Sequence, residues 1–340
     1  MLDSNILDQV RGIFANLDAQ YTFLTSIDKN REEAHEMIDF INDFASTSSH
    51  INVAHTEATA DKLEFSILKN DEHTGITFRG IPNGHEFTSL LLAILNADGK
   101  GKNLPDEAIA RRIKALKGNV KLQTYVSLTC TNCPDIVQAL NIMAIINPNI
   151  SHEMIDGALF QAEADAMKIQ AVPTVYANEK MLHVGRGTLG ELLEKLENEV
   201  GSIADDNFEP VIRHYDVIVV GGGPAGSSAA IYSARKGLKV AVVAENVGGQ
   251  VKETVAIENL ISVPHTTGAE LANSLRSHIN DYPIDIFENR RIEKADLQGP
   301  LKSITAVGGE VFTAPAVIIA TGAGWRKLGV EGEAEYIGRG

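Results

Sequence analysis

The stretch YDVIVVGGGPAGSSAAIYSARKGLKVAVVAE, residues 215–245, admits few folds. An apolar run of strand character meets Gly221, Gly223 and Gly226 in the spacing G-x-G-x-x-G, and a helical pattern opens at once with Pro224 and Ala225. The first glycine permits a tight turn, the second lets a pyrophosphate approach the backbone, and the third lets helix and strand pack closely. The phosphates then face the N–H groups at the start of the helix. The next strand, LKVAVVAE, ends in Glu245, 19 residues after Gly226. A carboxylate there accepts from a ribose 2′-hydroxyl, and an acid in place of arginine argues against a 2′-phosphate. This part of the chain is therefore expected to be an α/β dinucleotide-binding unit.

The 200 residues before it alternate short strands and amphipathic helices. LDSNILDQVRGIFANL is helical, YTFLTS a strand and REEAHEMIDFINDFA a helix, followed by strands INVAHT, LEFSIL and ITFRG and helix FTSLLLAILNA. After the connector NADGKGKNLPDE the order restarts: helix DEAIARRIKAL, strand LQTYVSL, helix PDIVQALNIMAII, strand ISHEMID, helix LFQAEADAM, strands PTVYAN and KMLHVG, helix LGELLEKLENEV. The shared element order predicts a tandem repeat with a period near one hundred residues. Residues 201–213, GSIADDNFEPVIR, are polar and carry a proline without periodicity, which predicts a linker.

Only two cysteines occur, Cys130 and Cys133, within VSLTCTNCPDI. The pair could be a redox dithiol, half a zinc site or a structural staple. Zinc needs two further ligands, and the nearest histidine, His152, stands in no ligand pattern, so no metal site is expected. Two cysteines in 340 residues are not an extracellular disulfide framework. The strand-to-helix turn favours an anion, which lowers the pKa of Cys130 and marks it as the attacking sulfur. Cys133, one turn on, is expected to be more buried and to close the disulfide. Pro134 suits a first helical turn.

Charge and hydropathy narrow the partners. A formal net charge of −15 without a basic cluster excludes nucleic acid and anionic membrane as favoured partners. No apolar run approaches a membrane span, the longest being pieces such as LLLAIL. The acidic, helical start is unlike a signal peptide, so a cytoplasmic location is expected.

Cys130–Cys133 together with Val172-Pro173-Thr174 in AVPTVYA resembles a thioredoxin-fold redox module, in which a cis-proline lies beside the CxxC. The first repeat ends its corresponding strand with Ser26, Ile27 and Asp28 and cannot exchange disulfides. Its GIPNGHEF places Pro82 where the second repeat is read to have Pro173, with His85 and Glu86 following. Glu86 is either a partner of the following helix dipole or a general acid/base for the dithiol. Further on, GGQV with Gly249 and Gln250, IENLISVP with Asn259, and Ala320-Thr321-Gly322 after AVII resemble the flavin-contacting segments of low-molecular-weight thioredoxin reductases.

The whole arrangement resembles the flavoprotein subunits of alkyl hydroperoxide reductase, the peroxiredoxin reductases. The resemblance implies an α/β chain: a thioredoxin-like repeat without CxxC at 1–102, one with CxxC at 103–200, a linker at 201–213, and the first segment of a Rossmann-like FAD domain at 214–340. It implies FAD as cofactor, NADH or NADPH as electron donor, a peroxiredoxin as partner and a homodimer. It makes Cys130 and Cys133 the N-terminal dithiol and Glu86 its acid/base helper. That family carries a second CxxC and a nicotinamide domain beyond EGEAEYIGRG, so weak flavin binding and no nicotinamide oxidation are expected of these 340 residues alone. Two alternatives stand beside this: a non-enzymatic module that docks a thiol partner, and a generic protein-disulfide oxidoreductase. A flavin hydroxylase or oxidase with a thioredoxin-like appendage rests only on the shared flavin fold.

Overall fold

The structure is a computed structural model that describes residues 3–57, 61–101, 103–203 and 210–323. The chain divides into two compact units, 1–204 and 205–340.

In the first unit the chain runs α1 (Ser4–Phe14), β1 (Tyr21–Ile27), α2 (Ala34–Ala45), β2 (Ile51–His55), β3 (Leu63–Lys69), β4 (Glu72–Arg79) and α3 (Phe87–Ala97). It continues through α4 (Glu107–Lys114), β5 (Val120–Val126), α5 (Cys133–Ile146), β6 (Ile150–Asp156), α6 (Gln161–Ala166), β7 (Thr174–Ala177), β8 (Lys180–Val184) and α7 (Leu189–Val200). One sheet holds all eight strands in the order β2-β1-β3-β4-β6-β5-β7-β8. The two halves of that order are the same, and parallel pairing of β4 with β6 joins them. The repeat is thus present in the structure, and its period is 99 residues: β1 and β5 begin at 21 and 120, α2 and α5 at 34 and 133, β2 and β6 at 51 and 150. The second repeat carries α6 between β6 and β7, and among the described residues the first has no helix between β2 and β3.

Local chemistry explains these elements. Alternating buried and half-buried residues in YTFLTSI and LEFSILK are the period-two pattern of strands with one face in a core. The carboxylates of Asp3 and Asp106 and the hydroxyl of Thr188 accept from backbone N–H groups at the starts of α1, α4 and α7. Helix α5 is buried on most of its circumference, from Cys133 through Ala144, because the sheet, α3, α4 and α7 all pack on it. One continuous core runs through both repeats, from Phe14, Phe23, Phe44, Phe65 and Phe78 to Val137, Leu140 and Leu193. Arg112 donates to both carboxylate oxygens of Glu197, at 2.9 and 2.7 Å, and fastens α4 to α7.

The second unit runs β9 (Ile212–His214), β10 (Val217–Gly222), α8 (Pro224–Ala234), β11 (Val240–Val247), α9 (Gly268–Asn280), β12 (Ile284–Phe287), β13 (Ile292–Asp296), β14 (Lys302–Ala306), β15 (Val311–Ala314) and β16 (Ala316–Ile319). A parallel sheet has the order β12-β11-β10-β16, and a second sheet has the order β13-β14-β15-β9. Strand order reverses at β10, between β11 and β16, so the glycine turn lies at a topological switch point.

Two expectations are corrected. The segment read as a linker is structured at both described ends. Ser202 bridges to Leu116 and the Ile203 N–H donates to Ala115 O at 2.7 Å, while Ile212 and Arg213 belong to β9, paired with β15. Short pairings like these leave no periodicity to read. Pro82 is not the counterpart of Pro173: Pro173 precedes β7, the third strand of its repeat, whereas Pro82 follows β4, the fourth. Among the described residues the Val172–Pro173 bond is the one cis peptide.

Candidate functional site

In the first unit Cys130 and Cys133 form a disulfide, with their Cα atoms 5.6 Å apart. Strand β5 delivers Cys130 into a short turn in which its N–H donates to Ser127 O at 2.9 Å. Cys133 opens α5 and is buried, whereas Cys130 is half-buried, the asymmetry expected of an attacking and a resolving sulfur. The Cys133 N–H donates to Cys130 Sγ at 3.2 Å. The donor stands at the N-terminus of α5, where a thiolate is favoured. On its other side Cys130 Sγ lies 3.8 Å from the carbonyl oxygen of Val172, just before the cis bond.

The 99-residue register places Arg31 and Ala34 of the first repeat where the second has Cys130 and Cys133. Arg31 donates to Leu159 O at 3.1 Å, pairs with Glu33 at 3.2 Å and stacks 5.1 Å above the Phe160 ring. The counterpart of the redox turn is therefore filled by a guanidinium network and holds no sulfur.

Glu86 ends a short 3-10 turn, Gly84–Glu86, immediately before α3. Its side chain makes no capping hydrogen bond at the start of α3, so any interaction with that helix is through its dipole alone. The carboxylate is fully buried, and among the described residues neither oxygen has a hydrogen-bond partner. Burial pushes its pKa up to about 7; Ser89, close but short of hydrogen-bonding geometry, opposes the shift, and Asp135 in the first turn of α5 adds to it. The turn is tied to the loop before Cys130, since the His85 N–H donates to Leu128 O at 3.1 Å. Asp135 was open to notice in CPD, but its bearing on Glu86 arises only when α5 meets the 84–86 turn.

The folded carboxyl titrates above its ordinary value of 4.5, so the folded chain binds more protons than the unfolded chain between the two. Stability therefore falls as pH rises from about 4.5 to about 7. Glu86→Gln removes that loss: it stabilises the chain above pH 7 by up to about 3 kcal/mol and has little effect near pH 4. Denaturant unfolding of both proteins at the two pH values checks this, and an equal effect at both contradicts it.

His152 is fully buried, bonded to Thr124 Oγ1 at 2.8 Å and Asn141 Oδ1 at 2.7 Å, and burial lowers its pKa to about 3. It is a neutral core residue. Among the described residues no cluster of three or more metal-ligating side chains occurs, and no helix is long and apolar enough to cross a membrane.

In the second unit the glycines meet distinct demands. A Cβ on Gly221, whose φ is +111°, falls 2.2 Å from Ala320 O, and one on Gly226 falls 1.9 Å from Gly221 O. A Cβ on Gly223 meets nothing nearer than Gly248 O at 3.9 Å. Protein packing therefore demands the first and third glycines, while space at the second, beside the N-terminus of α8, is left for a ligand. This open cradle fits a pyrophosphate. Pro224 and Ala225 begin α8 with Pro in the first turn. The ends of three segments converge here. The Ala320 N–H donates to Val220 O at 2.8 Å, leading Thr321 and Gly322 away from β16 beside Gly221; Gly249 packs on Gly223; and the Gln250 amide donates to Ala323 O. Glu245, half exposed on β11, lies 3.8 Å from Arg291. Asn259 is exposed between two isolated bridges, and among the described residues no hydrogen bond joins it to the turn.

Comparison with known proteins agrees with each unit. Residues 215–340 match the pyridine nucleotide-disulphide oxidoreductase family and residues 120–198 the thioredoxin domain. The chain is 41% identical over its full length to the alkyl hydroperoxide reductase AhpF of Pseudomonas aeruginosa and 42% identical to a protein of Bacillus subtilis named NADH dehydrogenase. It spans 65% of the length of each. A crystal structure of the N-terminal domain of AhpF from Enterococcus faecalis aligns over all of that domain and 58% of this chain, with 32% identity and a TM-score of 0.53. On this likeness, the eight-stranded tandem sheet, the dithiol in its second half and the glycine turn, the chain belongs to the AhpF family of alkyl hydroperoxide reductases.

Proposed function

We propose that the chain is the dithiol module and first flavin-binding segment of an NAD(P)H-dependent flavoprotein disulfide reductase that delivers electrons to a peroxiredoxin. The observation that carries the reading is Cys130 Sγ held between the N-terminus of α5 and the Val172 carbonyl, with Cys133 buried behind it. The reduced pair begins as two thiols; Cys130 gives its proton to solvent, and its thiolate attacks a partner disulfide, whose S–S bond breaks as a mixed disulfide forms. The departing partner thiolate takes a proton. Cys133 then loses its proton and attacks Cys130 Sγ, releasing the second partner thiolate, which is protonated in turn. The module gives up two electrons and two protons and becomes the Cys130–Cys133 disulfide.

Glu86 supports proton movement in this scheme. A carboxyl titrating near 7 exchanges protons at neutral pH, where an ordinary carboxylate remains ionised. In the second unit, Gly221, Gly223, Pro224, Ala225 and Gly226 would receive the pyrophosphate of FAD and Glu245 a ribose hydroxyl, with Gly249, Gln250, Asn259, Thr321 and Gly322 on the adjoining segments. When bound, FAD supplies two-electron transfer between a nicotinamide and a dithiol. A cytoplasmic location, where thiols are kept reduced, and a homodimer belong to the same proposal.

The test is reduction of insulin disulfides by dithiothreitol in the presence of the chain. Acceleration by catalytic amounts of chain is expected. A rate equal to that of dithiothreitol alone overturns the reading.

A further inference from the structure

His183 lies on β8, in the same repeat as the dithiol, and is 5% exposed. Its Nε2 is 3.0 Å from Gly185 O and 2.8 Å from Arg186 O, and its Nδ1 is 2.6 Å from Lys195 Nζ on α7. Lysine can only donate and the two carbonyls can only accept, so the ring is the neutral tautomer with its proton on Nε2. Glu191, on the same face of α7, lies 3.1 Å from Lys195 and 3.7 Å from the ring, which holds the ammonium in place. The imidazole is thus a fixed strut with a proton directed at one loop.

That loop, residues 185–187, leads toward the sulfur. The Gly185 N–H donates to Pro173 O at 2.8 Å, and the carbonyl of the preceding residue, Val172, lies 3.8 Å from Cys130 Sγ. Gly187 packs so closely that a Cβ there would fall 2.8 Å from His183 Nε2 and 3.2 Å from Ile136 Cδ1, on the helix that Cys133 opens. His183, Pro173 and Ile136 together fix the backbone of the loop, while the Arg186 side chain is exposed.

We propose that His183 is a positioning residue for disulfide exchange: by donating to Gly185 O and Arg186 O it holds the 185–187 loop as a wall of the surface that receives a protein disulfide at Cys130. The inference rests on the dithiol reading above. It concerns docking and not the sulfur chemistry, so it separates large substrates from small ones. In each turnover Cys130 and Cys133 pass two electrons and two protons to the substrate disulfide, and dithiothreitol restores both thiols by becoming its own cyclic disulfide.

Two replacements divide the contacts of the ring. Asparagine places an oxygen near the Nδ1 position and keeps the acceptor for Lys195, but its amide falls short of the carbonyls. Glutamine reaches the Nε2 position and keeps the donor. With the full chain and dithiothreitol, His183→Asn is expected to raise KM for insulin roughly tenfold, the scale of one buried hydrogen bond to a docking segment. Its kcat, and its rate with hydroxyethyl disulfide, stay within about twofold of the parent. His183→Gln is expected to restore KM to within about twofold. Gly187→Ala, which pushes the imidazole off the carbonyls, is expected to raise KM as His183→Asn does, and it decides the matter alone should His183→Asn not fold. An unchanged KM in His183→Asn or Gly187→Ala overturns the proposal. So does an equal loss on both substrates, or a failure of His183→Gln to restore KM. A parent chain that does not reduce insulin overturns the dithiol reading itself, an outcome distinct from the other three.

Discussion

Cys130→Ser lowers chain-dependent reduction of insulin to the background of dithiothreitol alone, a loss of at least about a hundredfold, because a serine hydroxyl is neither ionised nor nucleophilic toward sulfur near neutral pH. The size of the loss follows from geometry. Cys130 is the more exposed sulfur, and its Sγ receives the Cys133 N–H at the start of α5. Cys133 is fully buried and has no comparable access to a partner. Cys133→Ser should therefore behave differently: the first attack proceeds, the mixed disulfide persists, and a covalent adduct with insulin accumulates. Mass spectrometry of the two variants after mixing with insulin distinguishes them. Equal adduct formation by both would abolish the distinction between attacking and resolving sulfurs, and more adduct in Cys130→Ser would reverse it.

In the second unit, Gly223→Ala leaves unfolding unchanged but weakens FAD binding, whereas Gly226→Val disrupts both. A Cβ at 223 has open space in the protein, and the φ and ψ of Gly223, −70° and −177°, suit any residue. On the proposed assignment, the new methyl would meet the pyrophosphate of the bound cofactor. A Cβ at 226 falls 1.9 Å from Gly221 O, a backbone atom that cannot move without opening the turn between β10 and α8. That strain costs about 3 kcal/mol or more, and the valine adds two further methyls. Quenching of flavin fluorescence on titration with FAD, read beside thermal unfolding, checks the pair. FAD affinity falls by roughly a hundredfold in both, while the melting temperature of the second unit falls only in Gly226→Val. Reduction of insulin by dithiothreitol should persist in both, since the dithiol belongs to the first unit. Undiminished FAD binding by Gly223→Ala contradicts the assignment of this turn.

The features legible in the sequence are those set by local chemistry. CxxC after an apolar strand and before a proline-bearing helix has one economical geometry, and the structure adopts it. G-x-G-x-x-G between strand and helix is similarly self-contained. The repeat was legible because both halves keep one order of elements, but its register was not. That needed the 99-residue offset, which reveals Arg31 as the counterpart of Cys130. Pro82 misled because GIPNGHEF follows a strand and carries a proline, and nothing local distinguishes the third strand of a repeat from the fourth. Glu86 is ambiguous in the sequence for a similar reason. Its place before α3 suggests a cap, while its burial and raised pKa depend on α5, far along the chain. His183 carried no signal at all in KMLHVG; its role depends on carbonyls that only the turn after β8 brings to its ring.

The most direct measurement is electron delivery to a peroxiredoxin. The chain, reduced with dithiothreitol and freed of it by gel filtration, is mixed without oxygen with an oxidised peroxiredoxin from an alkyl hydroperoxide reductase system, and the thiols of each protein are alkylated and weighed. The two thiols of Cys130 and Cys133 are expected to disappear from the chain as two appear on the peroxiredoxin. A peroxiredoxin that stays oxidised beside a chain that keeps both thiols would contradict it.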